Sequence, residues 1–300
     1  QCIMRYLTPE LQPKWNSVLF GVFRKFISIC EENDLTYYCV GGTLIGAVRH
    51  HGMIPWDDDI DVCMPRGEYD KFREICKTTD LGNYELHCAE NTENYYFQFS
   101  KLCDKNTTIK EQYDMPCVFG LFIDIFPVDG IGDDFDEAVR WKEHYRKVQN
   151  QLEAISTRNK FADYIKLLGD SFEWGRFVHK TIGFLFRKPY RNWLMKRLDK
   201  IMRTYDFTKS KYAVTYSGVY KDKEIYPRHW LGTPVNVRFE DFKVSIPEHW
   251  DEYLRHFFGD YMKLPPVEER QYKHEKVFFD LDRGLTVREV EEEMKKEKSV

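Results

Sequence analysis

Tyr37 to Tyr69 reads YYCVGGTLIGAVRHHGMIPWDDDIDVCMPRGEY. Tyr37 to Val40 is apolar and strand-like; Gly41, Gly42 and Thr43 then break the pattern and open a short helix over Leu44 to His50. After a turn at Gly52 and Pro55 come four aspartates, Asp57, Asp58, Asp59 and Asp61, followed by apolar Val62, Cys63 and Met64. Strand side chains alternate between faces, so Asp59 and Asp61 share one face while Ile60 and Val62 point to the other. Two carboxylates ~6.5–7 Å apart along a strand can ligate one or two Mg²⁺ ions, and such ions clamp phosphate oxygens. The Gly-Gly turn lets backbone N–H groups come close to a phosphate.

A calcium loop competes for the same residues, because Asp57, Asp59, Asp61 and Glu68 fall at ligand positions of an EF-hand. The position where such a loop needs glycine is Val62, and Pro55 and Trp56 stand where a helix should end, so this reading is set aside. A further carboxylate, Asp124, lies inside the apolar run Leu121 to Phe126. An isolated buried carboxylate is costly unless paired or metal-bound. Asp124 is therefore read as paired or metal-bound, against a plain strand-end cap. Asp129, just past Pro127, is the alternative third acid.

Outward from this stretch, Leu11 to Asn33 carries Leu19, Phe23, Phe26, Ile27 and Cys30 at helical spacing, an amphipathic helix covering a sheet. Gly67 to Lys77 is a second helix. Tyr84 to Ala89, Tyr95 to Leu102, Thr107 to Tyr113 and Phe119 to Phe126 are predicted strands, and Pro127 to Asp134 a turn region. From Phe135 to Tyr205 the pattern is helical. Short strands return at Ala213–Ser217, Val235–Phe239 and Phe242–Ser245, followed by helices over Glu248–Phe258 and Val287–Lys298. The expectation is an α/β (α+β) fold: a small mixed sheet in residues 1–134 and a mainly helical region, 135–300, that completes the substrate site and packs with the core as one unit.

Composition narrows the classes. The 300 residues are 42% hydrophobic and 31% charged, as in an ordinary globular protein, and the net charge of −4 gives no basic signature for nucleic acid. Aromatic content is 16%, with 22 Phe and 19 Tyr, which supplies large side chains for a core. Eight scattered cysteines form no CxxC pair, which argues against structural zinc and for reduced buried thiols. No signal-peptide pattern and no apolar run near the ~20 residues of a membrane span are present, which points to the cytoplasm. The basic, aromatic stretch Arg176–Arg203 suits peripheral contact with the anionic inner face of a membrane or with an anionic acceptor chain, or a helix pair with solvated charges.

A glycine turn, a helix and a strand bearing Asp-x-Asp resemble the layout of the polymerase-β-like nucleotidyltransferases. The wording GGTLIGAVRHHGMIPWDDDIDV is similar to the LicD family of phosphocholine transferases, related to fukutin-type ribitol-phosphate transferases. KLCDKNT (Lys101–Thr107), FIDIFPVDG (Phe122–Gly130) and FFGDYMKLPP (Phe257–Pro266) resemble the family's later blocks in the same order. The resemblance implies metal-dependent transfer of phosphocholine or an alditol phosphate from a CDP-activated donor to a hydroxyl of a cell-surface glycan or its lipid-linked precursor, with release of CMP. It implies Mg²⁺ or Mn²⁺ on Asp59, Asp61 and Asp124, the three candidate catalytic acids. Gly41, Gly42 and Thr43 would hold the donor phosphates, and Arg49 and Lys101 would be phosphate clamps. Two other readings stay open: a nucleotidyltransferase that releases pyrophosphate from an NTP, and a non-catalytic glycan- or membrane-binding protein.

Overall fold

A computed structural model describes residues 7–112, 115–157, 186–272, 274 and 276–297. The first helix, α1 (Gln12–Glu32), buries Trp15, Leu19, Val22, Phe23, Phe26 and Ile29 against the sheet, as its apolar spacing requires. The chain then enters β1 (Tyr38–Cys39), turns through the short helix α2 (Gly41–Ile45) and a widened turn over Gly46–His50, and forms β2 (Asp61–Pro65). Helix α3 (Arg66–Thr78) follows, with Tyr69, Phe72 and Cys76 inward, then β3 (Tyr84–His87), β4 (Ser100–Lys110) and β5 (Phe119–Gly130). Helix α4 (Phe135–Ser156) starts at Asp134, whose carboxylate accepts from the Glu137 N–H at 2.7 Å, an N-cap satisfying one orphan donor. Helix α5 (Arg187–Met202) packs on α4 through Leu194 and Leu198.

Beyond α5 lie β6 (Tyr212–Val214), β7 (Ile225–Pro227), the hairpin β8 (Val235–Phe239) with β9 (Phe242–Ile246), helix α6 (Trp250–Phe258), β10 (Phe278–Asp280) and helix α7 (Val287–Glu297). The main sheet runs β1-β2-β5-β4-β10, with β3 added to β4 and β6 and β7 extending from the end of β5. Among the described residues only β2 and β5 are parallel; every other pairing is antiparallel. The mixed α and β content and curled mixed sheet make this an α+β fold.

The sheet exceeds the sequence expectation. Tyr95 to Phe99 is not a strand, and Tyr96, Phe97 and Phe99 line cavities instead; β5 runs on through Pro127 to Gly130, where a turn was predicted. The polar break at Asp104–Asn106 is an irregularity inside one long strand, β4, rather than a gap between two. Among the described residues five short strands lie in the later half, three of them in the main sheet, beside its helices. The predicted strand end at Tyr113 and residues 176–185 of the basic stretch lie outside the described residues. The described part of that stretch is partly tied down: Arg191 donates to the Ala89 and Tyr95 carbonyls, and Arg203 to Asp70. The seven described cysteines are buried free thiols. No described helix is long and apolar enough to cross a membrane.

Candidate functional site

The aspartate run leaves the Pro55 turn in extended form and joins the sheet only at Asp61. The alternation still holds over its whole length: Asp58, Ile60 and Val62 are buried, while Asp57, Asp59 and Asp61 keep part of their surface. Its backbone is held on every side. The Trp15 indole of α1 donates to the Asp58 carbonyl at 2.9 Å, Asp61 N–H donates to Thr43 Oγ1 at 2.8 Å, Val40 N–H to the Asp61 carbonyl at 3.1 Å, and Asp124 N–H to the Ile60 carbonyl at 2.9 Å. Asp61 on β2 stands beside Asp124 on β5, and Asp124 in turn opposes Lys101 on β4. One row across three strands thus reads acid, acid, lysine.

Asp57, Asp59, Asp61 and Asp124 line one cavity of about 520 Å³, together with Gly41, Gly42 and His274. Burial, then the charge of Asp59, pushes Asp57 up to about 8. Burial with Asp59, Asp124 and Asp57 nearby holds Asp61 well above the carboxylate range. Burial raises Asp124 to about 6, although Lys101 opposes the shift. Carboxylates that crowd one another in this way favour a divalent cation. Asp57, Asp58, Asp59 and His274 also place one ligand atom each within 4.8 Å of one another, a group that could hold a metal. In that group Asp58 is already engaged. It is 2% exposed, accepts from Lys276 Nζ at 2.7 Å and contacts His274 Nδ1 at 2.6 Å. Burial alone would raise Asp58, but His274 and Lys276 outweigh it and hold it below its ordinary value.

Each sequence-predicted residue has a definite place. Gly41 and Gly42 border the acids. Gly41 has φ of +57°, open to glycine, and a Cβ on Gly42 would sit 2.2 Å from Asp57 Oδ2, so only glycine lets that carboxylate approach. Thr43 is buried with its hydroxyl spent on the Asp61 backbone. Arg49 lies outside the cavity lining, in the turn after α2, and its guanidinium donates to the Tyr261 carbonyl at 2.5 Å. Lys101 is 1% exposed and bonded to Asp124 at 2.7 Å and Glu111 at 3.2 Å, with the Phe122 ring 3.5 Å beneath its ammonium. Asp129, the alternative third acid, is 2% exposed and held at both oxygens by Arg66, at 2.7 and 2.6 Å.

Sequence reasoning passed over the remaining lining. Asp57 was legible, since it shares the alternation of Asp59 and Asp61. The later half adds Thr215, Ser217, Tyr220, Glu224, Tyr253, Phe257 and Phe258. Two aromatic clusters border the cavity. Tyr220, Phe257 and Phe258 lie with ring centres 5.3–6.0 Å apart, and Phe97, Phe99 and Phe126 form a chain at 5.0 and 4.5 Å. Burial, then Glu224 and the acids Asp61, Asp59 and Asp57, raises the Tyr220 phenol, which places that ring in the acids' field.

Residues 34–160 match the family model described as LicD/FKTN/FKRP, nucleotidyltransferase domain. Over 258 residues, 86% of this chain and 93% of the other, the sequence is 27% identical to the lipopolysaccharide cholinephosphotransferase LicD of Haemophilus influenzae. A protein of Rickettsia prowazekii named only as uncharacterized is 30% identical over 92 residues, 24% of this chain and 35% of that one. The domain match and the Haemophilus relative together support a phosphotransferase enzyme of the LicD family.

Proposed function

We propose that this enzyme transfers phosphocholine from CDP-choline to a hydroxyl of a cell-surface glycan or its lipid-linked precursor. The observation that carries the reading is the one cavity in which four acids meet two aromatic clusters and the buried carboxyl of Glu224. Aromatic faces and a nearby carboxylate attract a quaternary ammonium, while the acids suit a metal–diphosphate. The Haemophilus relative, named as a cholinephosphotransferase acting on lipopolysaccharide, supports the same choice of group and acceptor.

In this reading Asp59 and Asp61, with Asp57 beside them, hold Mg²⁺ or Mn²⁺. Such an ion, when bound, neutralises phosphate oxygens and polarises the phosphorus. Asp124, its Oδ1 held by Lys101, uses its second oxygen for metal or for the proton of the attacking hydroxyl. The acceptor oxygen bonds to the choline-bearing phosphorus, the bond from that phosphorus to the oxygen bridging it to CMP breaks, and CMP leaves with the bond's electron pair. Gly41 and Gly42 keep the floor low enough for the donor to lie against the acids. Residues 186–297 belong to the same working unit as the nucleotidyltransferase domain, since they supply half of the cavity wall.

The test is product analysis with Mg²⁺ and a lipopolysaccharide acceptor. CMP formed from CDP-choline, with choline on the glycan, is expected. CMP from CDP-ribitol or CDP-glycerol only would move the transferred group to an alditol phosphate, and pyrophosphate from an NTP would replace the reading by nucleotidyl transfer.

A further inference from the structure

Helix α5 has two unlike sides. Leu194, Leu198, Ile201 and Met202 are buried. On the other side Pro189, Trp193, Lys196, Arg197 and Lys200 recur at i, i+4, i+7, i+8 and i+11, which is one stripe of a helix surface. Trp193 is 51% exposed, and Phe186, just before the first turn, is 60% exposed. The Tyr190 ring stacks on Trp193 at 5.8 Å, and the Arg197 guanidinium lies 5.4 Å from the centre of the Trp193 ring. Lys196, Arg197 and Lys200 form no ion pair among the described residues; Asp199, the one acid of the helix, is taken by Arg203. A wet indole beside cations that have no counter-charge is the surface that a layer of anionic headgroups over acyl chains complements. The indole suits the polar–apolar boundary, and each cation near such a layer is attracted to it.

We propose that this face of α5 docks on an anionic phospholipid bilayer, with Phe186 and Trp193 entering the headgroup region and Lys196, Arg197 and Lys200 meeting lipid phosphates. Charge singles out this face. The exposed apolar residues Met262, Leu264 and Val267 share their segment with Asp260, Glu268 and Glu269, which outnumber Lys263, so an anionic surface is repelled there. The docking helix is also fastened to the wall of the acidic cavity. Arg191 donates to the Ala89 and Tyr95 carbonyls at 3.1 and 2.6 Å, and the Gln98 amide contacts Met195 Sδ at 3.6 Å. Met195 and Lys196 line a cavity of about 440 Å³ together with Phe97 and Phe99, and the same two rings line the acidic cavity. A bilayer held by α5 therefore lies one helix away from the segment that walls the acids. The docking surface goes beyond the donor reading and does not depend on it.

The experiment is vesicle flotation of the full chain, with vesicles of phosphatidylglycerol and phosphatidylcholine in equal parts and with vesicles of phosphatidylcholine alone. The parent is compared with Trp193→Ala and with the combined variant Lys196→Gln, Arg197→Gln, Lys200→Gln. The parent is expected to float with the anionic vesicles, to be released by salt and to stay behind with phosphatidylcholine alone. Loss of three cations should weaken partitioning about a hundredfold, and loss of the indole about tenfold. All these side chains lie on the surface, so both variants should keep the parent's melting temperature. Failure of the parent to float with the anionic vesicles, or flotation that neither variant weakens, overturns the proposal. So does binding to a soluble polyanion, dextran sulfate, without flotation, because the face would then hold an anionic chain rather than a bilayer. Release of CMP from CDP-choline is scored separately with a delipidated acceptor, so failure of the donor reading and failure of the docking surface are told apart.

Discussion

Lys101 Nζ lies 2.7 Å from Asp124 Oδ1, and the lysine is the more deeply buried partner. The two oppose each other in register on β4 and β5, and Asp124 is in register with Asp61 on β2. The cation therefore sits at one end of the row of acids and offsets part of their mutual repulsion. Glu111 at 3.2 Å gives it a second anion. Removing one member of a buried pair strands the other in low dielectric, at about 3–5 kcal/mol. Lys101→Ala is accordingly expected to lower the midpoint of denaturant unfolding sharply, before any effect on donor KM is considered. Wild-type stability combined with a raised KM for CDP-choline would instead make Lys101 a phosphate clamp.

The acids facing the cavity behave in the opposite way. Asp61 is raised by burial and by three neighbouring carboxylates, so its charge destabilises the metal-free fold. Asp61→Asn and Asp59→Asn are each expected to cost about thirtyfold or more in turnover, roughly 2 kcal/mol of barrier. Asp61→Asn should melt no lower than the parent without metal. Turnover within about threefold of the parent in either variant, a barrier change near 0.7 kcal/mol, would remove these residues from the machinery.

Asp58 separates from its neighbours on the same measurement. It faces the interior, where Lys276, 7% exposed, depends on it. Asp58→Asn should lose about 3 kcal/mol of stability by leaving that ammonium uncompensated, and its turnover at a temperature where it stays folded should exceed that of Asp61→Asn. Equal turnover losses in the two variants would mean that Asp58 also serves the chemistry.

A pH effect follows from Lys142, which burial lowers to about 8 despite Glu224 and Asp222. The unfolded chain binds this proton up to the ordinary lysine value near ~10.4, so between these two limits the unfolded state holds more protons and folding gains stability as pH rises. Lys142→Met should remove that gain. The difference in unfolding free energy between parent and variant is expected to move in the parent's favour from pH 8 upward and to be flat below it. A flat difference throughout would show that Lys142 stays charged in the fold.

Tyr220 tests the choice of transferred group. An aromatic face near a desolvated cation contributes roughly 1–2 kcal/mol. Tyr220→Leu should raise KM for CDP-choline about tenfold, equivalent to ~1.4 kcal/mol, and leave handling of CDP-ribitol or CDP-glycerol nearly unaltered. Equal losses for choline and alditol donors would indicate that the ring only packs.

The alternation of Asp57 to Val62 was legible because it is local: period two needs no partner strand to be read. The helices α1, α3 and α6 and the hairpin β8–β9 declare themselves the same way. What escaped depended on distant pairing. Nothing near Phe278 announces that it will pair with Lys110, and β7 is too short to carry a pattern. Phe97 and Phe99 alternate like strand residues yet border cavities. Asp124 and Asp129 look alike in FIDIFPVDG; only the fold shows that Arg66 grips the second at both oxygens while the first faces Asp61. Glu224, a buried acid in an otherwise charged stretch, gave no signal.

The closure of the sheet by β10 has a consequence for the order in which the molecule is made. Asp58 meets His274 and Lys276 across 216 and 218 residues of chain, and β10 docks on β4 directly after them. A nascent chain that has delivered the whole glycine–aspartate segment, and even β5, still holds Asp58 without its counter-charges. The site can therefore mature only once residue 276 has cleared the ribosome, and a shorter nascent chain holds its aspartate run without the cations that steady it.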